Sequence, residues 1–218
     1  MSNLDLSGYS YKDWQDIHKN YSNNKVSNTE KIFALKEIIN ILECHKINYF
    51  ISGGTCLGIY RDKELIPWDD DIDIDILEDD YFKAETQLIT YAESNSYSYR
   101  KGSNKFHPKI NIFINMVKVS VCRIIRGNFI KSYLYRPRAR LPFNYIYPTK
   151  KINFNDISIR LPNDTIKYLI HLYGENWEIP NKWKKDDDTL YNINYHRRGK
   201  KYLFLEKIQT IISKLKLI

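Results

Sequence analysis

Cysteine is scarce in this chain of 218 residues: Cys44, Cys56 and Cys122 stand far apart, with no Cys-x-x-Cys or Cys/His ligand spacing. That excludes a disulfide scaffold and a structural zinc site, and it fits reduced thiols in a cytoplasmic setting. No apolar run approaches the roughly 20 residues that cross a bilayer, and mean hydropathy is −0.53. The first twenty residues are polar, so the sequence predicts no signal peptide. Glycine (8) and proline (7) are too few for a collagen-like or low-complexity chain. No internal repeat and no linker divides the sequence; one domain over 1–218 is expected, with 1–28 as a polar arm. Acids are missing from one long stretch: between Glu93 and Asp156 there is no Asp or Glu.

What is present is a basic chain with one acidic focus. Lys and Arg number 34 against 26 Asp and Glu, a formal charge of +8. Such a balance suits an anionic partner: nucleic acid, a membrane surface or a phosphorylated small molecule. Yet residues 69–80, DDDIDIDILEDD, hold eight of the acids and no cation. The acid-free interval carries thirteen cations, a surface suited to a diphosphate or an anionic acceptor. Within it Arg136, Arg138 and Arg140 alternate through a proline-containing stretch and are candidates to clamp a phosphate bidentately.

Periodicity predicts a helix capped by Thr29 and ending near His45, a buried strand over Ile47–Ser52, and a short helix over Thr55–Arg61. A strand over Asp71–Ile76 and a helix over Glu78–Asn95 follow. The run KINIFINMVKVSVCRII extends the sheet. Tyr133–Pro148 reads as an irregular, aromatic-rich loop, Ile152–Leu161 as a hairpin, and Asn163–Tyr173 as a helix stopped by Gly174. Tyr202–Ile218 reads as an amphipathic helix rimmed with lysine.

The alternation DIDIDI puts Asp71, Asp73 and Asp75 on one strand face at intervals of roughly 6.5–7 Å, with the isoleucines on the other. Aligned carboxylates repel unless a cation or strong donors neutralise them, and Mg²⁺ or Mn²⁺ held together with phosphate oxygens is the usual solution. The plainer alternative is a solvated acidic edge strand. Just upstream, Gly53-Gly54-Thr55 opens a helix, where backbone N–H groups receive phosphate readily. The turn lacks the Lys-Ser/Thr of a P-loop and the third glycine of a dinucleotide fingerprint. An EF-hand is excluded because Ile74 stands where its loop needs glycine.

The whole block, GGTCLGIYRDKELIPWDDDIDI at residues 53–74, resembles the signature of the LicD family, which includes bacterial phosphocholine transferases and fukutin-type ribitol-phosphate transferases. Gly53, Gly54, Thr55, Leu57, Gly58, Arg61, Ile66, Pro67, Trp68, Asp69, Asp70, Asp71 and Asp73 match it. A weaker similarity runs from Ile32 into the block and again over Ile157–Pro180, so that it covers about residues 30–183. The resemblance implies an α+β fold, a nucleotidyltransferase-like mixed sheet flanked by helices. It also implies transfer of a phospho-alcohol from a CDP-linked donor to a glycan hydroxyl, with release of CMP. On that reading Asp71 and Asp73 would hold Mg²⁺ or Mn²⁺, the Gly53-Gly54-Thr55 turn would bind the diphosphate, Asp69 would support the site or act as base, and Arg61 would contact phosphate or organise the motif. Trp68 is expected to pack, and Cys56, in place of the usual leucine, to fill the core.

The sequence also departs from the pattern. Asp62, Lys63 and Glu64 replace residues common after the arginine, and the third carboxylate that such sites take from a later strand is missing. Asn111, Asn115 and Asp156 are the oxygen donors left for that role; Asp75 lies about 13 Å along the strand from Asp71. Two other functions compete with the transferase: a glycosyltransferase using the Asp-x-Asp motif on a nucleotide-sugar, and a degenerate basic binding protein with stacking aromatics. No specific nucleic acid partner is expected. The acceptor would be a glycan or lipid-linked glycan, with Tyr202–Ile218 offering peripheral membrane contact as the alternative to packing on the core.

Overall fold

The computed structural model describes residues 26–102, 108–126, 133–136 and 139–179, with backbone alone for 133–136 and 139–140. The elements are α1 (Asn28–Cys44), β1 (Tyr49–Ile51), α2 (Gly53–Arg61), β2 (Asp71–Leu77), α3 (Glu78–Ser94), β3 (Ser98–Lys101), β4 (Lys109–Ile114), β5 (Val117–Arg126), β6 (Tyr133–Arg136), β7 (Ala139–Pro142), α4 (Phe143–Ile146), β8 (Lys150–Phe154), β9 (Ile157–Leu161) and α5 (Thr165–Tyr173). Residues 1–25 of the expected arm and the whole of 202–218 lie outside the described residues.

Helix α1 begins earlier than expected because Ser27, not Thr29, caps it. The Ser27 hydroxyl accepts from the Glu30 N–H at 3.2 Å and the Glu30 carboxylate accepts from the Ser27 N–H at 2.8 Å, a reciprocal capping box. Five strands form the main sheet in the order β1-β2-β5-β4-β3, parallel only between β2 and β5. The far end of β5 pairs with β6, and β6 with β7. The stretch expected as an irregular loop is therefore a hairpin followed by α4. Its prolines permit this: Pro137 falls between the two strands and Pro142 ends β7, so neither removes an interior ladder donor.

Register divides the sheet into two chemically distinct faces. Ile72 and Ile74 stand beside Val119 and Val121, which in turn face Ile112 and Ile110 on β4. All of these are fully buried, and α1 and α3 pack across that face. The opposite face carries Asp71 beside Lys118, Asp73 beside Ser120, Asp75 beside Cys122, and Asn111 across from Ser120. Helix α2 lies against β2 and α5, and β9 lies against β1. As expected, α5 ends at Gly174, whose φ of +90° closes the helix in the left-handed region.

Candidate active site

The site starts from a turn that only glycine can make. Gly53 has φ +54°, and a Cβ there would come within 2.2 Å of Asp73 Oδ2; a Cβ on Gly54 would come within 2.1 Å of Asp69 Oδ2. Both carboxylates are thus pressed against the first residues of α2, where the partial positive charge of a helix N-terminus favours them. The expected phosphate cradle is consequently occupied in part by the protein's own acids and side chains. The Gly53 N–H donates to Tyr168 Oη at 3.0 Å, and the buried Thr55 hydroxyl accepts from the Asp73 N–H at 2.9 Å. Thr55 is first of all a strut between α2 and β2.

Asp69, Asp70 and Asp71 each bring an oxygen within 4.8 Å of the others. Burial, reinforced by the charges of Asp71 and Asp70, pushes the Asp69 carboxyl up to about 7. This local excess of negative charge is what a divalent cation would relieve, and an all-oxygen donor set suits Mg²⁺ or Mn²⁺. The sequence expectation paired Asp71 with Asp73. Asp71 belongs to the observed cluster, whereas Asp73 stands outside it, one step along the strand and against Gly53.

The approach to this cluster is held from behind by a residue that motif reading missed. Lys31, buried on α1, donates from Nζ to the carbonyl oxygens of Ile66 at 3.1 Å, Pro67 at 3.4 Å and Asp69 at 2.5 Å. Burial lowers its pKa while Asp69, Asp70 and Asp71 oppose that shift. Its spacing was the available signal: Lys31 shares a helical face with Leu35, Ile38 and Leu42, and a lysine on a buried stripe needs internal acceptors.

No acid on β4 or β5 completes the carboxylate set. The register places Lys118 and Ser120 beside Asp71 and Asp73. Lys118 Nζ lies 2.8 Å from Asp71 Oδ2. The buried Ser120 hydroxyl donates to Asn111 Oδ1 at 2.9 Å and lies 3.5 Å from the same Asp71 oxygen. Asn115 (φ +47°) and Asp156 (φ +63°) are turn residues of the β4–β5 and β8–β9 hairpins, exposed and unsuited to the ligand role considered for them. Asp75 is fully buried, where its charge adds to burial in raising the Cys56 and Tyr147 pKa values. Cys56 itself is fully buried, the core role expected of it.

Arg61 is spent internally: Nε and Nη2 each lie 2.7 Å from a carboxylate oxygen of Asp62, and Nη1 donates to the Trp177 carbonyl at 3.5 Å. These contacts favour organisation of the motif over phosphate binding. Trp68 is 46% exposed, a correction to the packing role expected of it. The basic interval is less free than its composition suggests. Lys101, Lys118, Arg123 and Lys151 pair with Glu85, Asp71, Glu78 and Glu43, all acids from outside the interval. Arg136 pairs across β6–β7 with Ala139, and Arg140 with Tyr135; these side chains, and Arg138 entirely, lie outside the described residues.

Comparison with known proteins fits this arrangement. A family model described as LicD/FKTN/FKRP, nucleotidyltransferase domain, matches residues 46–164. An uncharacterised Rickettsia typhi protein, RT0683, is 29% identical over 181 residues, covering 80% of this chain and 52% of that protein. The mouse ribitol 5-phosphate transferase FKRP is 35% identical over 167 residues, covering 68% and 33%. The Haemophilus influenzae lipopolysaccharide cholinephosphotransferase LicD is 49% identical over 41 residues, covering 19% and 16%. The chain thus spans about half the length of its rickettsial relative and a third of FKRP. With the family model covering more than half of its residues, this chain belongs to the LicD/FKTN/FKRP family.

Proposed function

We propose that this protein transfers a phospho-alcohol, such as phosphocholine or ribitol phosphate, from a CDP-linked donor to a glycan hydroxyl. The convergence of Asp69, Asp70 and Asp71 within 4.8 Å beside the Gly53-Gly54 turn is the observation that carries this reading. The relatives named ribitol 5-phosphate transferase and cholinephosphotransferase support the chemical class.

In this proposal the acceptor oxygen forms a bond to the phosphorus that bears the alcohol. The bond from that phosphorus to the bridging oxygen breaks in line, and CMP leaves with the electron pair. Asp71, with Asp69 and Asp70 in reach, would hold Mg²⁺ or Mn²⁺, whose charge offsets that developing on the diphosphate. Asp69, enclosed against Gly54, is the group assigned the acceptor's proton. Lys118 and the helix N-terminus at Gly53-Gly54-Thr55 supply positive charge to the donor. Arg136, Arg138 and Arg140 are assigned to the anionic flank of donor or acceptor. Among the described residues no helix is long and apolar enough to cross a membrane. A cytoplasmic location, with residues 202–218 touching the membrane of a lipid-linked acceptor, belongs to the same proposal.

Incubation with CDP-choline, CDP-ribitol, CDP-glycerol and UDP-sugars, following CMP and UDP release with Mg²⁺ or Mn²⁺, tests it. CMP release is expected, lost in folded Asp71→Asn and in folded Asp73→Asn, whose carboxylate in the wild type sits against the Gly53 turn beside the cluster. Release of UDP alone would assign the site to a glycosyltransferase instead.

A further inference from the structure

Lys118 is the residue that the neighbouring strand sets beside the candidate ligand Asp71. It lies on β5 directly beside Asp71 in parallel register, on the polar face of the sheet. Its ammonium contacts Asp71 Oδ2 at 2.8 Å, and both side chains are mostly enclosed, 13% and 19% exposed. The same ammonium feels Asp70 and Asp73 as well as Asp71, which together outweigh burial and raise its pKa. Lys31, by contrast, bonds to backbone carbonyls behind the cluster. Among the described residues, Asp71 is the member of the three-carboxylate cluster paired with a lysine ammonium, and it is also the central candidate ligand.

A divalent cation and an ammonium compete for one carboxylate oxygen: each seeks the same lone pairs, and their charges repel at short range. We propose that Lys118 is a built-in counter-cation that holds Asp71 while the donor is absent, making divalent metal binding depend on the arrival of the donor's diphosphate. The diphosphate supplies the oxygens and negative charge that allow ammonium and metal to share the site. Free metal then binds weakly, and metal and nucleotide bind with positive coupling.

This inference rests on the metal-site reading of the cluster, but it is read without turnover. Mn²⁺ is titrated into the full chain, following the electron paramagnetic resonance signal of free Mn²⁺, with and without CDP. For the wild type, CDP is expected to tighten Mn²⁺ binding at least tenfold. Lys118→Met is expected to bind Mn²⁺ alone about tenfold more tightly than wild type, the equivalent of one charge-assisted hydrogen bond released from Asp71. Lys118→Arg should stay weak. The Met variant should also gain more thermal stability from Mn²⁺ than the wild type does.

An Mn²⁺ affinity unchanged or weakened in a folded Lys118→Met overturns the proposal. So does a wild-type affinity indifferent to CDP, a result available even if the variant fails to fold. Tightened Mn²⁺ binding without CMP release from any CDP-alcohol would overturn the transferase reading and leave the competition standing. CMP release with no change in Mn²⁺ affinity would do the reverse.

Discussion

At the scale of single residues, the site is built by close approach. Gly54→Ala would drive a methyl group to 2.1 Å from Asp69 Oδ2, and displacing that carboxylate by about 1 Å is enough to cost on the order of 100-fold in turnover. Gly53→Ala meets Asp73 at 2.2 Å and also requires φ +54° of an alanine; it should lose about 1–3 kcal/mol of stability as well. Thermal melts beside turnover assays separate the two: turnover is lost in both, and the larger drop in melting temperature belongs to Gly53→Ala. Equal, small effects would mean that the carboxylates are free to move. Lys31→Met leaves three carbonyls of the 66–69 segment without their ammonium donor and should cost about 2–3 kcal/mol, seen as a lower denaturant midpoint with loss of turnover. A variant as stable and active as wild type would remove Lys31 from the account. Lys118 was legible in principle, since VKVSV alternates and puts Lys118 and Ser120 on the face opposite the valines. Its contact with Asp71 was not, because strand order sets which strand lies beside β2.

At the scale of elements, the strongest local patterns survived folding. The DIDIDI strand and the helices on either side of it form within a residue or two of their expected bounds, because apolar periodicity and the glycine turn mark their limits locally. The errors fall where local chemistry had competitors. Thr29 lost the capping role to Ser27 because Ser27 and Glu30 form a reciprocal pair. The β6–β7 hairpin was hidden by prolines that sit between and at the end of its strands, and its pairing with β5 is non-local. Elsewhere α1 is tied to the β8–β9 hairpin through Glu43, which accepts from Arg160 Nε at 2.7 Å and Nη2 at 3.1 Å and from Lys151 Nζ at 3.1 Å. The hydrogen bond from Arg160, with help from Lys151, holds the Glu43 carboxyl below its usual 4.5. A depressed folded-state value means that this contribution is full above pH 4.5 and is lost as pH falls through the lower native value. Glu43→Gln should therefore cost about 1 kcal/mol at pH 7, a partly exposed cluster being screened by solvent. That deficit should shrink below pH 4.5 in denaturant titrations, and a deficit constant with pH would show that the charge does not matter.

At the scale of the whole molecule, an average charge of +8 conceals a division of labour. The acids concentrate on β2 and its flanks, and several cations of the acid-free interval fold back to pair with them or with acids on α1 and α3. Composition showed the division but not the pairing, because register and strand order bring Lys118 to Asp71 across 47 residues of sequence. On the proposed function, this division favours a compact metal-diphosphate ligand over an extended polyanion. Nucleic acid binding that survives Asp71→Asn would contradict that preference.

The most direct measurement is nucleotide release from a panel of CDP-alcohols by the wild type and Asp71→Asn, with Mn²⁺ present and after chelation. CMP release that needs the metal and vanishes in a folded Asp71→Asn is the predicted result; release that persists in that variant or after chelation would contradict the account.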